Sequence, residues 1–190
     1  MKTNYLTRLM VLPTILVLMT GCTKSYRITQ ELETPLNRSE ICAIGQIVDN
    51  FPSDFEEANK PTSEQISTFR HHLASELREK DVFSAVDHDD TTAEYVVTGS
   101  ILDYKKGSGV ARFFIGFGVG NAKVTTELKL IKKFKSPDEE DQIIFAGNFN
   151  QTVSSWTESG DKTFEKIAKD FAKLLDKRLK AMSKEKKSEG

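Results

Sequence analysis

Several residue types are scarce in this sequence, and each shortage excludes a class of protein. Two cysteines, Cys22 and Cys42, stand among 190 residues, which is too few for the disulfide framework that holds small secreted domains together. Lysine and arginine together number 27 against 28 acidic residues. A nucleic-acid-binding surface needs a clustered excess of basic side chains that displaces counterions from phosphates. We therefore expect no nucleic-acid partner.

Catalytic and metal-binding patterns are also missing from the sequence. The histidines are His71, His72 and His88; the first two are neighbours on a predicted helix and point about 100° apart, so they do not form the i, i+4 pair that binds zinc. Residues 87–90 lack the glycine and the distal glutamate of a calcium loop. There is no Gly-x-Ser-x-Gly elbow and no recognisable Cys/His arrangement. We predict no catalytic residue, no metal ligand and no cofactor, and expect that the protein is not an enzyme.

Long hydrophobic runs are absent except for one near the start of the chain. Lys2 and Arg8 precede a largely apolar stretch, residues 9–19, which Pro13 interrupts. Its eleven residues would rise about 16 Å as a helix, whereas the hydrocarbon core of a bilayer is roughly 30 Å thick. A transmembrane anchor is therefore disfavoured, and residues 1–21 are predicted to be a cleaved signal peptide.

The end of this stretch indicates which kind of signal it is. Residues 18–22, Leu-Met-Thr-Gly-Cys, resemble the lipobox of bacterial lipoproteins, with Met19 where leucine is usual. The resemblance implies that Cys22 is acylated and becomes the first residue of the mature chain. Several acyl chains on one residue suffice for stable attachment to a membrane. By resemblance to Gram-negative lipoprotein sorting, Thr23 in place of aspartate implies the outer membrane, on its periplasmic face.

The mature chain is predicted to contain one folded domain. Residues 22–40 are expected to be a polar tether, residues 41–182 a single domain, and residues 183–190 a disordered charged tail. Cys42 lies among apolar neighbours, where a thiol usually behaves as a small buried hydrophobe.

The order of predicted elements indicates an α+β fold. The strand Ile41–Asp49 is followed by a helix that Thr62 or Ser63 can cap, and then by a short strand, Val82–Val86, so that a parallel crossover is expected. The second half of the domain contains β-rich or alternating runs and a long final helix. We predict a two-layer sandwich, in which a mixed, mostly antiparallel sheet of five or six strands carries two helices on one face. These later elements are residues 95–104, 122–130 and 143–153 as strands, and a helix capped by Asp161.

A glycine-rich segment, residues 107–120, is the most distinctive part of the chain. A Gly-Ser pair is followed by an arginine and then by three glycines spaced two apart. This pattern resembles an uncharacterised family of bacterial lipoproteins, one of the domain-of-unknown-function families; Gly99 and the Asp103-Tyr104 pair upstream also match it. The resemblance implies a small envelope lipoprotein, and it supplies no activity and no catalytic residue. The matching residues of the segment are Gly107, Ser108, Arg112, Gly116, Gly118 and Gly120.

The conformation of residues 110–119 stays open between a strand and a short helix. The three glycines recur every two residues and run into a strand, unlike a phosphate-binding loop, which leads from a strand into a helix. A hairpin turn at Gly120-Asn121 would place Phe113 opposite Leu128 and Arg112 opposite Lys129. The competing interpretation is a short helix that ends at Gly116.

The segment supports two interpretations, one structural and one functional. It could merely complete the core, or it could form a docking surface, because exposed backbone, arginine and aromatic residues are typical of binding hot spots. We predict a non-catalytic envelope lipoprotein that is anchored to the membrane by the lipid on Cys22 and binds another envelope protein through this segment. A carrier or sensor of a small or lipidic ligand and an unrecognised hydrolase are the alternatives. The docking residues would be Arg112, Phe114, Gly116, Gly118 and Gly120.

Overall fold

The computed structural model of the protein describes residues 25–51, 60–88, 92–106, 121–134, 138–153 and 160–188. Within these ranges, two strands precede the first helix, and four strands follow it before the second helix. The strands are β1 (Tyr26–Gln30), β2 (Ile41–Asp49), β3 (Ala85–Asp87), β4 (Tyr95–Lys105), β5 (Ala122–Lys132) and β6 (Gln142–Val153), and the helices are α1 (Ser63–Glu79) and α2 (Gly160–Ser188).

The described strands form a single mixed sheet that is not closed into a barrel. The strand order is β1-β6-β5-β4-β2-β3. β2 runs parallel to both of its neighbours, β3 and β4, and the other pairs are antiparallel. The strand–helix–strand unit from β2 through α1 to β3 is therefore parallel, as the element order predicts. The predicted α+β fold class is confirmed.

The two helices pack against each other and against the same face of the sheet. Alternation along β5 explains this arrangement, because every second residue from Val124 to Leu130, including Thr126, is buried while those between stay half exposed. The amphipathic face of α2 meets the buried side with Phe164 and Phe171. One continuous core of helix and strand side chains results. The predicted placement of two helices on one face is thus confirmed.

Helix α1 begins where a capping box satisfies its first backbone amides. The Oγ1 atom of Thr62 accepts from the amide of Gln65 at 3.2 Å, and the Gln65 side chain accepts from the amide of Thr62 at 3.1 Å. Of the two predicted caps, the structure therefore selects Thr62. The predicted apolar face of α1 is present, with Phe69, Leu73 and Leu77 buried.

The predicted tether over residues 22–40 is wrong for most of its described length. Tyr26–Gln30 pairs with β6 as an edge strand, and Leu32 and Leu36 are 7% exposed and belong to the core. Arg38 then contacts α2 through Asp176 at 3.4 Å. The polar composition of this stretch is explained by its edge position, since β1 buries only one of its faces.

Two expectations about α2 are also corrected. The helix begins at Gly160, so Asp161 lies in its first turn, where a carboxylate favours the helix dipole, and does not occupy the N-cap position. The helix continues to Ser188, whereas residues 183–190 were expected to be a disordered tail. Alternating charges do not interrupt a helix, so the charged composition of this end is compatible with its helical structure.

The hairpin predicted at Gly120-Asn121 does not agree with the neighbours of β5. Leu128 pairs with Gly99 of β4 on one side and with Gly147 of β6 on the other. Lys129 likewise pairs with Thr98 and Ala146. Because both edges of β5 are occupied, residues 113 and 112 are not the ladder partners of Leu128 and Lys129.

Candidate functional site

The residues that flank the glycine-rich segment on both sides lie at one end of the sheet. β4 finishes at this end with Lys105 opposite Lys123, and β5 starts there with Ala122 opposite Val153. We call it the proximal end. Lys106 and Asn121, the described residues on either side of the Gly/Phe segment (residues 107–120), both lie here.

A polar cluster closes the proximal end on the helix side of the sheet. The Tyr104 hydroxyl donates to Gln65 Oε1 at 3.0 Å, and Gln65 Nε2 donates to Asp161 Oδ1 at 3.3 Å. Burial raises the pKa of Tyr104, the hydrogen bond to Gln65 opposes that effect, and Asp161 raises the pKa further. Tyr104 is therefore a neutral hydrogen-bond donor at physiological pH, and Gln65 links β4 to the first turns of both helices.

A cavity of about 280 Å³ lies beside this cluster. It opens between the two helix N-termini and the end of β4, so it adjoins the point where the Gly/Phe segment leaves the sheet. Its lining is polar and charged, which suits contact with a polar partner group better than enclosure of an apolar ligand. The residues that line it are Thr62, Glu64, Gln65, Thr68, Lys106 and Asp161.

The first described residue is held firmly in the fold. The Ser25 carbonyl accepts from the Asn150 amide at 2.7 Å, and its hydroxyl donates to Asp170 Oδ2 at 2.8 Å. Gln151 Nε2 donates to the same carboxylate oxygen at 2.5 Å. Tyr26 pairs with Phe149, four positions before the end of β6, so the chain that precedes Ser25 departs toward the proximal end.

The face of the sheet opposite the helices carries polar side chains in the described part of the chain. Its central residues include Thr125, Glu127 and Lys129 of β5, all half buried. Lys129 pairs with Glu127 at 2.8 Å, and Lys123 pairs with Asp103 at 2.7 Å. Ion pairs this exposed contribute little stability. The same face also carries a small apolar cluster of Ala43, Ala93 and Val96, so it is polar only in part.

A second groove lies between β1 and α2, with a cavity volume of about 430 Å³. Arg27, Glu31, Lys177 and Arg178 contribute most of its polar lining. Arg178 is engaged with Glu31 at 2.6 Å. The lining also includes Tyr26, Ile28, Leu174 and Ala181, so the groove combines charged and apolar surface.

Cys42 has the environment expected of a structural thiol. It is 0% exposed, and burial raises its pKa to about 12, although a backbone hydrogen bond from Val97 acts in the opposite direction. A thiol that stays protonated at physiological pH is a poor nucleophile. The prediction that Cys42 behaves as a small buried hydrophobe is confirmed.

Sequence reasoning missed one pair of side chains. It considered His71 with His72 and rejected that pair, whereas the structure places His71 beside His88. The two lie on different elements, so neither spacing nor periodicity could have indicated their contact.

The residues proposed from sequence as functional lie outside the described ranges. They include the lipid-attachment residue, Cys22, and the docking residues of the Gly/Phe segment, so their roles stay predictions. Within the described ranges, no helix is long and apolar enough to cross a membrane. The docking residues concerned are Arg112, Phe114, Gly116, Gly118 and Gly120.

Comparison with solved structures reveals similar folds. Two structures of the PelC dodecamer from Paraburkholderia phytofirmans superpose with a TM-score of 0.57; they are 15% and 14% identical, and the matches cover 80% of this chain and 95% and 96% of theirs. A protein from Xanthomonas campestris described by the family model DUF330 gives a TM-score of 0.46 at 11% identity, over 85% of this chain and 95% of that one. At these identities the PelC likeness shows a shared fold and nothing further.

Comparison with curated proteins gives no match. A family model, by contrast, matches residues 33–162. This range contains β2 to β6, helix α1 and the Gly/Phe segment. The chain therefore belongs to the family described as a domain of unknown function, DUF4410.

Proposed function

We propose that the protein is a non-catalytic lipoprotein, anchored to the periplasmic face of the outer membrane through Cys22, which binds another envelope protein beside the bilayer. The observation that carries the proposal is the shared direction in which two parts of the chain leave the sheet. The chain before Ser25 and the Gly/Phe segment both depart at the proximal end.

The distance between anchor and fold supports a binding site close to the membrane. Cys22 precedes Ser25 by three residues, which span at most about 11 Å when fully extended. Ser25 is itself fixed by Asn150 and Asp170. A lipid on Cys22 would therefore hold the proximal end near the headgroups, and the long flexible spacer expected from the sequence is not available.

Arg112 remains the residue on which partner binding should depend most. It is the only charged residue between Lys106 and Lys123 and stands in an otherwise apolar run. Such a charge needs water or an acceptor. Because the ladder partners of Lys129 are Thr98 and Ala146, the repulsion between like charges that a hairpin pairing of Arg112 with Lys129 would cause does not arise. Glu64 and Asp161 are carboxylates that line the cavity beside Lys106. Arg112 thus has two alternative acceptors, an internal carboxylate or a partner protein, and we favour the partner.

Photo-crosslinking in intact cells tests this proposal. A photoreactive amino acid at position 114 should give a protein adduct, and Arg112→Ala should abolish that adduct while changing the free energy of unfolding by less than about 1 kcal/mol. The same amino acid at Glu79, which is exposed at the opposite end of α1, provides the control and should give no such adduct.

Three outcomes would overturn the partner assignment. Adducts to lipid in place of protein would indicate that the segment contacts the bilayer. An adduct that survives Arg112→Ala would remove Arg112 from the interface. Destabilisation by roughly 3–5 kcal/mol would instead indicate that Arg112 forms an internal salt bridge, because Arg112→Ala would then leave a carboxylate unpaired.

Self-assembly is a second candidate, which the structural comparison favours. The solved PelC structures are dodecamers of similar fold. The sheet of this protein is open, with β1 and β3 as edge strands, and exposed edges can pair with another chain. Native mass spectrometry of the purified lipoprotein should then show a discrete oligomer, and a monomer at all concentrations would exclude this candidate.

A further inference from the structure

Two histidines that are 17 residues apart in the sequence meet at the surface of the protein. His71 lies in α1, and His88 directly follows β3. The Nδ1 atom of His71 and the Nε2 atom of His88 are 3.2 Å apart. Both residues are exposed, so an ion could reach them from solvent.

The geometry of the pair fits two ligands of one metal ion. Imidazole nitrogens bound to a tetrahedral zinc ion at about 2.0–2.1 Å lie about 3.3 Å from each other, close to the 3.2 Å observed. The ring centroids are 4.7 Å apart and the ring planes meet at 79°. The centroids are thus separated by only 1.5 Å more than the nitrogens (4.7 against 3.2).

The contact also satisfies the geometry of a hydrogen bond between the two rings, and the nitrogen that donates depends on the tautomers. In a linear N–H···N contact each ring lies behind its nitrogen, and the centroids exceed the nitrogen separation by two ring radii, roughly 2 Å or more. The rings of His71 and His88 are instead inclined to each other. A metal ion that replaces the shared proton would bind the same two nitrogen atoms.

We propose that His71 and His88 form a binding site for a divalent transition-metal ion such as Zn²⁺, with water in the remaining coordination positions. Imidazole nitrogen is a preferred ligand of zinc, copper and nickel ions. In the described part of the chain, no group of three or more His, Cys, Asp or Glu side chains is arranged to hold an ion. The described ranges thus supply two protein ligands, and a site with two ligands should have a lower affinity than a structural zinc site.

The charges around the pair influence its affinity in opposite directions. Burial lowers the pKa of His88, the positive charges of His71, Arg70 and Arg78 lower it further, and Asp87 raises it. The guanidinium groups of Arg70 and Arg78 also repel a cation. Both are hydrogen-bonded to the backbone: Arg70 donates to the Ile44 carbonyl at 2.7 Å, and Arg78 donates to the Val86 carbonyl.

Titration calorimetry of the purified, untagged full chain with Zn²⁺ tests the site. We expect one binding event, weakened at least about tenfold by His71→Gln and by His88→Gln. His72→Gln provides a matched control, since His72 is the adjacent residue of the same helix, and it should leave the affinity unchanged. Mg²⁺ should not bind, because it prefers oxygen ligands.

Several outcomes would overturn the proposal. Absence of zinc binding, binding that survives either substitution, or equal weakening by His72→Gln would each do so. A second measurement protects the test against misfolded variants: in the unsubstituted protein, zinc should shift the ¹⁵N resonances of His71 Nδ1 and His88 Nε2. Unchanged resonances at those two atoms would also contradict the site.

Discussion

Leu128 illustrates how closely the helix side of the sheet is packed. It is fully buried, and its ladder partners on both sides are glycines, Gly99 and Gly147. A Cβ atom on Gly99 would lie 2.5 Å from the Glu127 carbonyl oxygen and 2.7 Å from Leu128 Cδ2. A glycine at position 99 therefore has a steric explanation.

The first prediction compares Leu128 with its neighbour on the opposite face. Leu128→Ala should lower the free energy of unfolding by roughly 2–5 kcal/mol, because it leaves a cavity in a filled core. Lys129→Ala should change it by no more than about 0.5 kcal/mol, since Lys129 is half exposed and its ion pair with Glu127 lies at the surface. Chemical denaturation of both variants provides the measurement. Equal losses would contradict the register of β5.

The second prediction concerns the buried thiol of Cys42. Burial raises the pKa of this thiol to about 12, above its ordinary value of 9.0, so above pH 9 the unfolded chain releases a proton that the folded protein retains. The thiol's contribution to stability is therefore complete below pH 9 and is lost as the pH rises toward 12. The expected slope approaches 1.4 kcal/mol per pH unit, about the value for one proton.

Denaturation at a series of pH values above 9 would measure this slope. Cys42→Ala should reduce the dependence of stability on pH in that range, because the variant has no thiol at this position to titrate. Identical slopes in the two proteins would show that Cys42 is not the group responsible.

At the scale of elements, α1 depends on its capping box. Thr62→Ala removes the acceptor for the Gln65 amide and should cost about 1 kcal/mol of stability. Ser63→Ala is the control, since Ser63 lies inside the helix and alanine is a good helix former. Thermal denaturation should show a lower stability for Thr62→Ala than for Ser63→Ala. A larger loss of stability in Ser63→Ala would indicate that Ser63, and not Thr62, caps the helix.

The edge strand β1 provides a second test at this scale. Ile28 packs against the core and pairs with Gly147, whereas Thr29 is exposed. Ile28→Ala should therefore destabilise the protein by about 1–2 kcal/mol, and Thr29→Ala should have an effect within about 0.5 kcal/mol. A flexible tether would make both substitutions neutral, so urea denaturation distinguishes a strand from a tether.

The same strand shows why some elements could be predicted and others could not. The alternation of β5 extends over a complete strand and is visible locally. β1 has five residues, and its apolar side chains are only Tyr26 and Ile28. Its stability comes from pairing with β6, more than a hundred residues later, and no local pattern reports such a contact.

For the whole molecule, the central prediction is the lipid anchor. Cys22→Ala should abolish acylation and leave an uncleaved precursor, because no other thiol stands at the predicted cleavage site. Labelling of cells with a clickable palmitate analogue would detect the change, and Cys42→Ala should retain the label. Label retained by Cys22→Ala would contradict the anchor.

The candidate site was predictable only in its parts. The glycine spacing, the isolated Arg112 and the residues before Ser25 are properties of adjacent positions, and the sequence displays them directly. That the chain leaves the sheet at one end both before Ser25 and after Lys106 follows from the register of four strands. The contact of His71 with His88 requires α1 and β3 to lie side by side.

The sequence by itself determined what depends on a few neighbouring residues: the alternation of β5, the amphipathic helices and the start of α1 at Thr62 or Ser63. Tertiary structure alone decided the strand order, the neighbours of β5, the inclusion of β1 and the pairing of the histidines. The physical reason is that pairing of distant segments depends on how all apolar faces are buried together, with the loop-closure entropy of each arrangement opposing it. That balance belongs to the whole chain, and no single segment encodes it.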